Sequence, residues 1–362
     1  VLTGIYVIAG GYMATAINDF IQGIIMIFGI IAVIAAVLAS KGGFMAAIDG
    51  LARVEDPSVT ATPGAFASFF GPDPLNLLGV VLLTSMGTWG LPQMVQKFYA
   101  INSENAIKKG TIISTLFAVV VSGGCYFLGG FGRLFSDQVD VVANGFDSII
   151  PTMLSGLSDA LIGLVVLLVL SASMSTLSSL VIASSSTLTL DFINKNFIKD
   201  MSEKTQVRMI RVLIVVFILI SVVIALIQYN SSVTFIAQLM GISWGALAGS
   251  FLGPLIYGLY WKKTTKSGCW ASFIFGAGTM ILVMLCPQIF PAVLQSPINA
   301  GAFAMIASLI LVPVVSLLTP KPSDKLVDEC FRCYEAPATV ASKVALPDEE
   351  ELEKHEKKQS KK

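Results

Sequence analysis

Leu170-Ser171-Ala172-Ser173-Met174-Ser175-Thr176-Leu177-Ser178-Ser179 is the stretch on which the reading of this chain turns. Hydroxyl side chains crowd the middle of an apolar run over about residues 158–190 and continue to Ser184, Ser185 and Ser186. Such a run is long enough to cross a hydrocarbon core of about 30 Å as a helix. Positions 172, 175, 176 and 179 share a helical face at spacings of three and four. The Ala172 carbonyl with the hydroxyls of Ser175 and Thr176 makes a partial cage of hard oxygens, suited to a weakly held monovalent cation. The same residues also fit a plainer role, in which small side chains admit close helix packing and Ser and Thr bond back to the preceding turn. On this helix alone both readings stay open.

The rest of the chain is of the same kind. Hydrophobic residues make up 55% of its 362 residues and charged residues 13%, against roughly a quarter charged in a soluble domain. Mean hydropathy is +0.80. Nine spanning segments are expected, at about 1–16 (short or incomplete), 20–40, 75–100, 108–134, 158–190, 207–228, 233–260, 267–290 and 298–319. Helices are the expected form, because an open strand would leave backbone groups unpaired in lipid. Residues 1–319 read as a helical transport domain and 320–362 as a charged cytoplasmic tail, disordered or loosely helical. The chain begins at Val1 inside an apolar run, which reads as a fragment with its N-terminal part missing.

Charge sets the orientation. Alternate loops carry Lys97, Lys108 and Lys109, then Lys195, Lys199, Lys204, Arg208 and Arg211, then Lys262, Lys263 and Lys266. The opposite loops carry only Lys41, Arg53 and Arg133, beside seven acidic residues. The positive-inside rule puts the first set, and with it the tail, in the cytoplasm of an inner-membrane protein. The external loop 41–74 has room for a short surface helix. Cys330 and Cys333 form a lone pair without the further ligands a zinc site needs.

Two other features bear on chemistry. Asp19, in Ala16-Ile17-Asn18-Asp19-Phe20-Ile21-Gln22, sits at the cytoplasmic entrance of the second segment. It is either a solvated helix cap or, facing the bundle, the negative charge that neutral hydroxyls lack. Met86-Gly87-Thr88-Trp89-Gly90-Leu91-Pro92-Gln93 places Gly, Gly and Pro inside a spanning segment. That is the mark of a broken helix whose freed backbone groups bind solute or ion at the midplane. Gly87, Thr88 and Gly90 line the break, Trp89 is placed to cap a site and Gln93 to line it. A simple proline kink with Trp89 in packing is the alternative. Trp244 and Gln238 are weaker candidates for the same cavity.

These residues resemble the sodium:solute symporter family. Gly10-Gly11-Tyr12, Ala14, Asp19 and Gln22 are similar to its Gly-Gly-aromatic…Asp-x-x-Gln signature, and Trp89-Gly90-Leu91-Pro92-Gln93 with Lys97 to its broken helix. Ala172 to Ser179 resembles its sodium-site helix, and Gly253-Pro254 with Tyr260-Trp261-Lys262-Lys263-Thr264-Thr265 and Gly268 the block that follows. The resemblance implies an all-α, leucine-transporter-like inverted-repeat fold entered at the fourth core helix. The first core helix then lies outside the chain, which is not expected to transport by itself. It implies a sodium ion at Ala172, Ser175 and Thr176; some members have a second, built from two further serines and the aspartate, positions held here by Ser178, Ser179 and Asp19. The proline carriers place Trp and Tyr where this chain has Thr84 and Thr88, which leaves pantothenate, monocarboxylates or another small organic solute open.

The function expected is therefore sodium-coupled symport of a small organic solute (amino acid, carboxylate or vitamin-like) by alternating access in a lipid bilayer. Na+ is the coupling ion, and no nucleic acid is involved. A sensor on the same scaffold would need a long signalling domain after the last helix, and a passive channel differs in lacking stoichiometric coupling. An enzyme would need a nucleophile–base pair or metal ligands, and the only histidine, His355, lies in the tail.

Overall fold

A computed structural model describes residues 2–57, 59–98, 101, 103–140, 145–199, 201–230 and 236–335. The charged end of the expected tail, beyond 335, lies outside them. The described chain is helical almost throughout, in thirteen principal helices. Helices α1 (Leu2–Gly11) and α2 (Met13–Ser40) meet at Gly11, whose φ of 60° is open to glycine without a Cβ penalty. The first break therefore falls at Gly11 and not near residues 17–19. This corrects the placement of Asp19, which lies well inside α2 and does not cap its start.

Short α3 (Phe44–Ala52) occupies the expected external loop. Then α4 (Pro74–Ser85) starts on Asp73, whose carboxylate accepts from Asn76 N at 3.1 Å with Pro74 in the first helical position. A 3-10 turn, Gly87–Gly90, separates α4 from α5 (Pro92–Phe98), so the third segment is broken where Gly, Gly and Pro indicated. Long α6 (Asn105–Gln138) contains a π turn at Ala118–Ser122. After α7 (Ile149–Leu154) comes α8 (Asp159–Asn196), with a second π turn at Thr187–Ile193. The chain continues through α9 (Glu203–Asn230), α10 (Ile236–Tyr260), α11 (Lys266–Leu285), α12 (Pro297–Leu318) and α13 (Asp324–Glu335). Seven of these helices (α2, α6 and α8 to α12) are long and apolar enough to cross a membrane. Short apolar α1 and the broken α4–α5 pair lie beside them. The tail is helical at α13, where Cys330 and Cys333 are both exposed.

Two packing units result. In the first, α10, α11 and α12 touch through glycine. A Cβ on Gly276 would fall 2.3 Å from the Gly249 carbonyl carbon, and one on Gly245 2.7 Å from Gly301 Cα. Lipid tails are as apolar as leucine, so close van der Waals approach of small residues drives such contacts. Pro254 interrupts α10 from within and lacks the N–H that would bond the Ser250 carbonyl. Buried Ser272 donates to that carbonyl at 3.1 Å, and Ser308 Oγ, 2.7 Å from Ser272 Oγ, accepts from Gly253 N at 2.9 Å. The freed backbone is thus satisfied without water.

In the second unit, α2 packs along α8. Val7, Val181, Ile214 and Ile218 join α1, α8 and α9, and Ile30, Val33, Val37, Leu128 and Phe135 join α2 to α6. The end near Lys41 and Arg133 is tied by polar contacts. Lys41 Nζ donates to the Leu134 carbonyl at 2.9 Å and lies 3.8 Å over the Phe135 ring. Arg133 pairs with Asp56 at 2.7 Å.

Candidate functional site

The face that α8 turns toward α2 is set by Ser171, Ser178 and Ser185, spaced two turns apart and almost fully buried. Ser178 stands at the centre. Its hydroxyl donates to the Ser175 carbonyl at 2.9 Å and lies 3.4 Å from Asp19 Oδ1. A hydroxyl has one proton, and the shorter bond to Ser175 uses it; 3.4 Å is long for an O–H···O bond. The separation suits a shared cation better. Two oxygens bound at about 2.4 Å on adjacent corners of an octahedron are about 3.4 Å apart, and that bond length is within the range for a calcium-sized cation, which sodium matches in radius. Asp19 is half-buried and Ser179, one residue on, is half-buried too.

The other predicted oxygens are arranged differently. Ser175 and Thr176 both donate to the Ala172 carbonyl, at 3.1 and 3.0 Å. This is the back-bonding of the plainer reading, and it leaves the hydroxyl lone pairs pointing away from that carbonyl. Thr176 is exposed and lies nearly opposite Ser178 around the helix, while Ser175 sits between them. Asp19 is therefore brought to Ser178, on the side of the helix away from exposed Thr176. Tyr6 of α1 donates to the Met174 carbonyl at 3.2 Å, which pins the turn between the two groups.

The broken helix reaches this neighbourhood through α5, which packs beside α8. Its glycines do packing work. A Cβ on Gly90 would lie 2.8 Å from Ala248 Cα, and one on Gly87 would meet Met305 and Trp244. Thr88 donates to the Ser85 carbonyl at 2.9 Å, Gln93 is half-buried, and Trp89 is 62% exposed. Trp244 packs at the edge of the Leu83–Ala248–Leu252 core. Gln238 is half-buried. Two buried polar residues on the α2 side were given no site role in the sequence, although Gln22 stands in the Asp-x-x-Gln signature. Gln22 is only 6% exposed, and neither its Oε1 nor Asn18 Nδ2 has a hydrogen-bond partner. Their spacing of four along α2 was the available signal.

Seven helices long and apolar enough to cross a membrane, with a further helix broken at mid-span, define a multi-pass membrane protein. The sodium:solute symporter family model matches residues 1–276, and the chain belongs to that family, a family of transporters and not of enzymes. It is 28% identical over 349 residues to the high-affinity proline transporter PutP of Bacillus subtilis, covering 92% of this chain and 68% of the relative. It is 26% identical over 285 residues to the sodium/pantothenate symporter of Haemophilus influenzae, covering 77% of this chain and 56% of the relative. Among solved structures, a Na+-coupled sialic acid symporter in a substrate-bound outward-open state matches with a TM-score of 0.64 at 16% identity, over 89% of this chain and 66% of that one. The fold is thus the leucine-transporter-like one expected. The chain spans between 56% and 68% of the length of these curated relatives.

Proposed function

We propose that this chain forms part of a sodium-coupled symporter that moves a small organic solute by alternating access. The single observation that carries the reading is the Asp19 carboxylate 3.4 Å from Ser178 Oγ, on a hydroxyl-rich face between two spanning helices. A charge there is costly unless it is matched by a cation. Ser178, Ser179 and Asp19 hold one sodium ion, and Ala172, Ser175 and Thr176 contribute to another whose remaining ligands come from elsewhere. Hard, neutral oxygens with one carboxylate bind an alkali cation weakly enough to release it in each cycle. The relatives named for proline, pantothenate and sialic acid support a small polar organic solute. Thr88, Trp89 and Gln93 at the broken helix, with the backbone of Gly87 and Gly90, line or gate its path.

Sodium entering from outside stabilises the outward-open arrangement and completes the solute site. Rocking of the helices then exposes both to the cytoplasm. An inside-negative potential adds about 2.3 kcal/mol per charge per 100 mV, so a second ion doubles the electrical drive. Basic residues crowd the loops at one end of the helices, which supports an inner-membrane orientation with residues 1–319 spanning and 320–362 cytoplasmic. The test is uptake of a radiolabelled solute panel (proline, pantothenate, a monocarboxylate, sialic acid) by the complete protein in proteoliposomes, with sodium or choline outside. Uptake of one solute that requires sodium is expected. Uptake equal in choline refutes the proposal.

A further inference from the structure

Gln22 belongs to none of the groups assigned so far, although it faces the same seam. Two contacts fix the register of α2 on α8: Asp19 against Ser178, and Gly29, whose added Cβ would lie 2.8 Å from Leu168 Cδ1. The contacts are ten residues apart on each helix, so the helices run antiparallel in step. Gln22, one turn above Asp19, then stands opposite Ser175, the residue lying between the two sets of oxygens. The neighbouring Gly23 turns to the other side, where its Cβ would meet Phe117 at 3.5 Å.

At this position the Gln22 side chain is 94% buried, being 6% exposed, and its Oε1 accepts no hydrogen bond. A buried amide oxygen without a partner costs about 1–3 kcal/mol, and in a membrane interior no bulk water relieves it. Asn18 Nδ2, one turn below, is likewise unpartnered. A mutual amide bond between the two would satisfy both, yet the side chains do not make it. The amide oxygen is left unpartnered in the buried interior, neutral, hard and within one helical turn of a carboxylate.

The geometry points to Gln22 Oε1 as a further sodium ligand, placed between the Asp19–Ser178–Ser179 group and the Ala172–Ser175–Thr176 group. It supplies a neutral oxygen through which an ion passes from one set to the other without losing its inner shell. Asn18 Nδ2, a donor, does not ligate a cation; it suits a water oxygen at the lower edge of the site. This inference rests on the symport reading and deepens it.

The experiment measures sodium activation of solute uptake by the complete protein in proteoliposomes, for wild type, Asp19→Asn, Gln22→Leu, Gln22→Glu and Gln22→Asn. Gln22→Leu is expected to raise the sodium concentration for half-maximal uptake at least fivefold, with solute KM at saturating sodium unchanged. Gln22→Glu keeps an oxygen in place and is expected at or below the wild-type value. Gln22→Asn, too short to reach, is expected to be raised. A wild-type value for Gln22→Leu alongside a shifted Asp19→Asn overturns the role of Gln22 and leaves the symport reading standing. Equal shifts in Gln22→Leu and Gln22→Glu mean packing only, and also overturn it. Sodium-independent uptake by wild type removes both. Where Gln22→Leu is not recovered in the membrane, Gln22→Glu and Gln22→Asn decide: the expected order supports the ligand, and any other order overturns it.

Discussion

Replacing Asp19 by Asn removes one negative charge while keeping the size and shape of the side chain. The amide retains an oxygen where Oδ1 stands, 3.4 Å from Ser178 Oγ, so packing between α2 and α8 is preserved. The electrostatic loss follows from distance and environment. Unit charges about 4 Å apart interact by about 4 kcal/mol at an effective dielectric constant near 20, and by about 1 kcal/mol in bulk water. Asp19 is half-buried and so lies between these limits. The amide oxygen recovers part of the loss, and the carboxylate no longer has to be desolvated when the ion binds. A net loss of about 1.5–3 kcal/mol remains, comparable to a hydrogen bond to a charged group. That corresponds to a rise of about 10- to 150-fold in half-saturating sodium. The assay is initial-rate uptake against sodium concentration at fixed membrane potential, with the amount of protein in the membrane measured alongside. A shift below twofold in a well-folded variant would mean that no ion binds beside Asp19, and the argument from the 3.4 Å spacing would fail.

Three further changes probe the scaffold. Gly276→Ala places a methyl against the Gly249 and Ser250 backbone, within 2.3 to 2.5 Å; overpacking of this kind costs about 1–3 kcal/mol, read as a lowered midpoint of thermal unfolding in detergent. Ser308→Ala strips the buried Gly253 N–H of its acceptor and Ser272 of its partner. A similar loss of about 1–3 kcal/mol is expected, with Ser308→Thr closer to wild type in the same melt. Arg133→Ala breaks the ion pair with Asp56, but both side chains are partly exposed, at 41% and 26%. The change is expected to cost no more than about 1 kcal/mol, and a large drop in melting midpoint would show that this tether is stronger than its exposure allows.

How much of this was legible in the sequence depended on whether a feature is written in local chemistry or in the meeting of distant segments. The break at Gly87–Gly90 was local, because Gly, Gly and Pro each alter backbone preference where they stand. The first break was misplaced for the converse reason. Asn18 and Asp19 look like a helix boundary in an apolar run, yet the chain turns at Gly11, where a positive φ is needed. The π turns at Ala118–Ser122 and Thr187–Ile193 carry no compositional mark. Hydroxyl spacing suggested one face of α8, over 172, 175, 176 and 179. Burial selected another, through Ser171, Ser178 and Ser185, because the facing surface of α2 decides which side is covered. The grouping of Asp19 with Ser178 came from the family resemblance, and spacing along either helix alone does not give it. The isolation of Gln22 Oε1 was not visible at all, since it depends on the register between helices more than a hundred residues apart.

Backbone resting on backbone, as where Gly249 meets Gly276 and Gly245 meets Gly301, has a mechanical meaning. No side chain at these crossings can swing to a second rotamer, and sliding one strut past the next would drive Cα atoms into carbonyls. The trio α10, α11 and α12 is accordingly a stator, stiff on the scale of a sub-ångström fit. At the seam between α2 and α8, by contrast, side chains meet side chains, as where Ser178 faces Asp19.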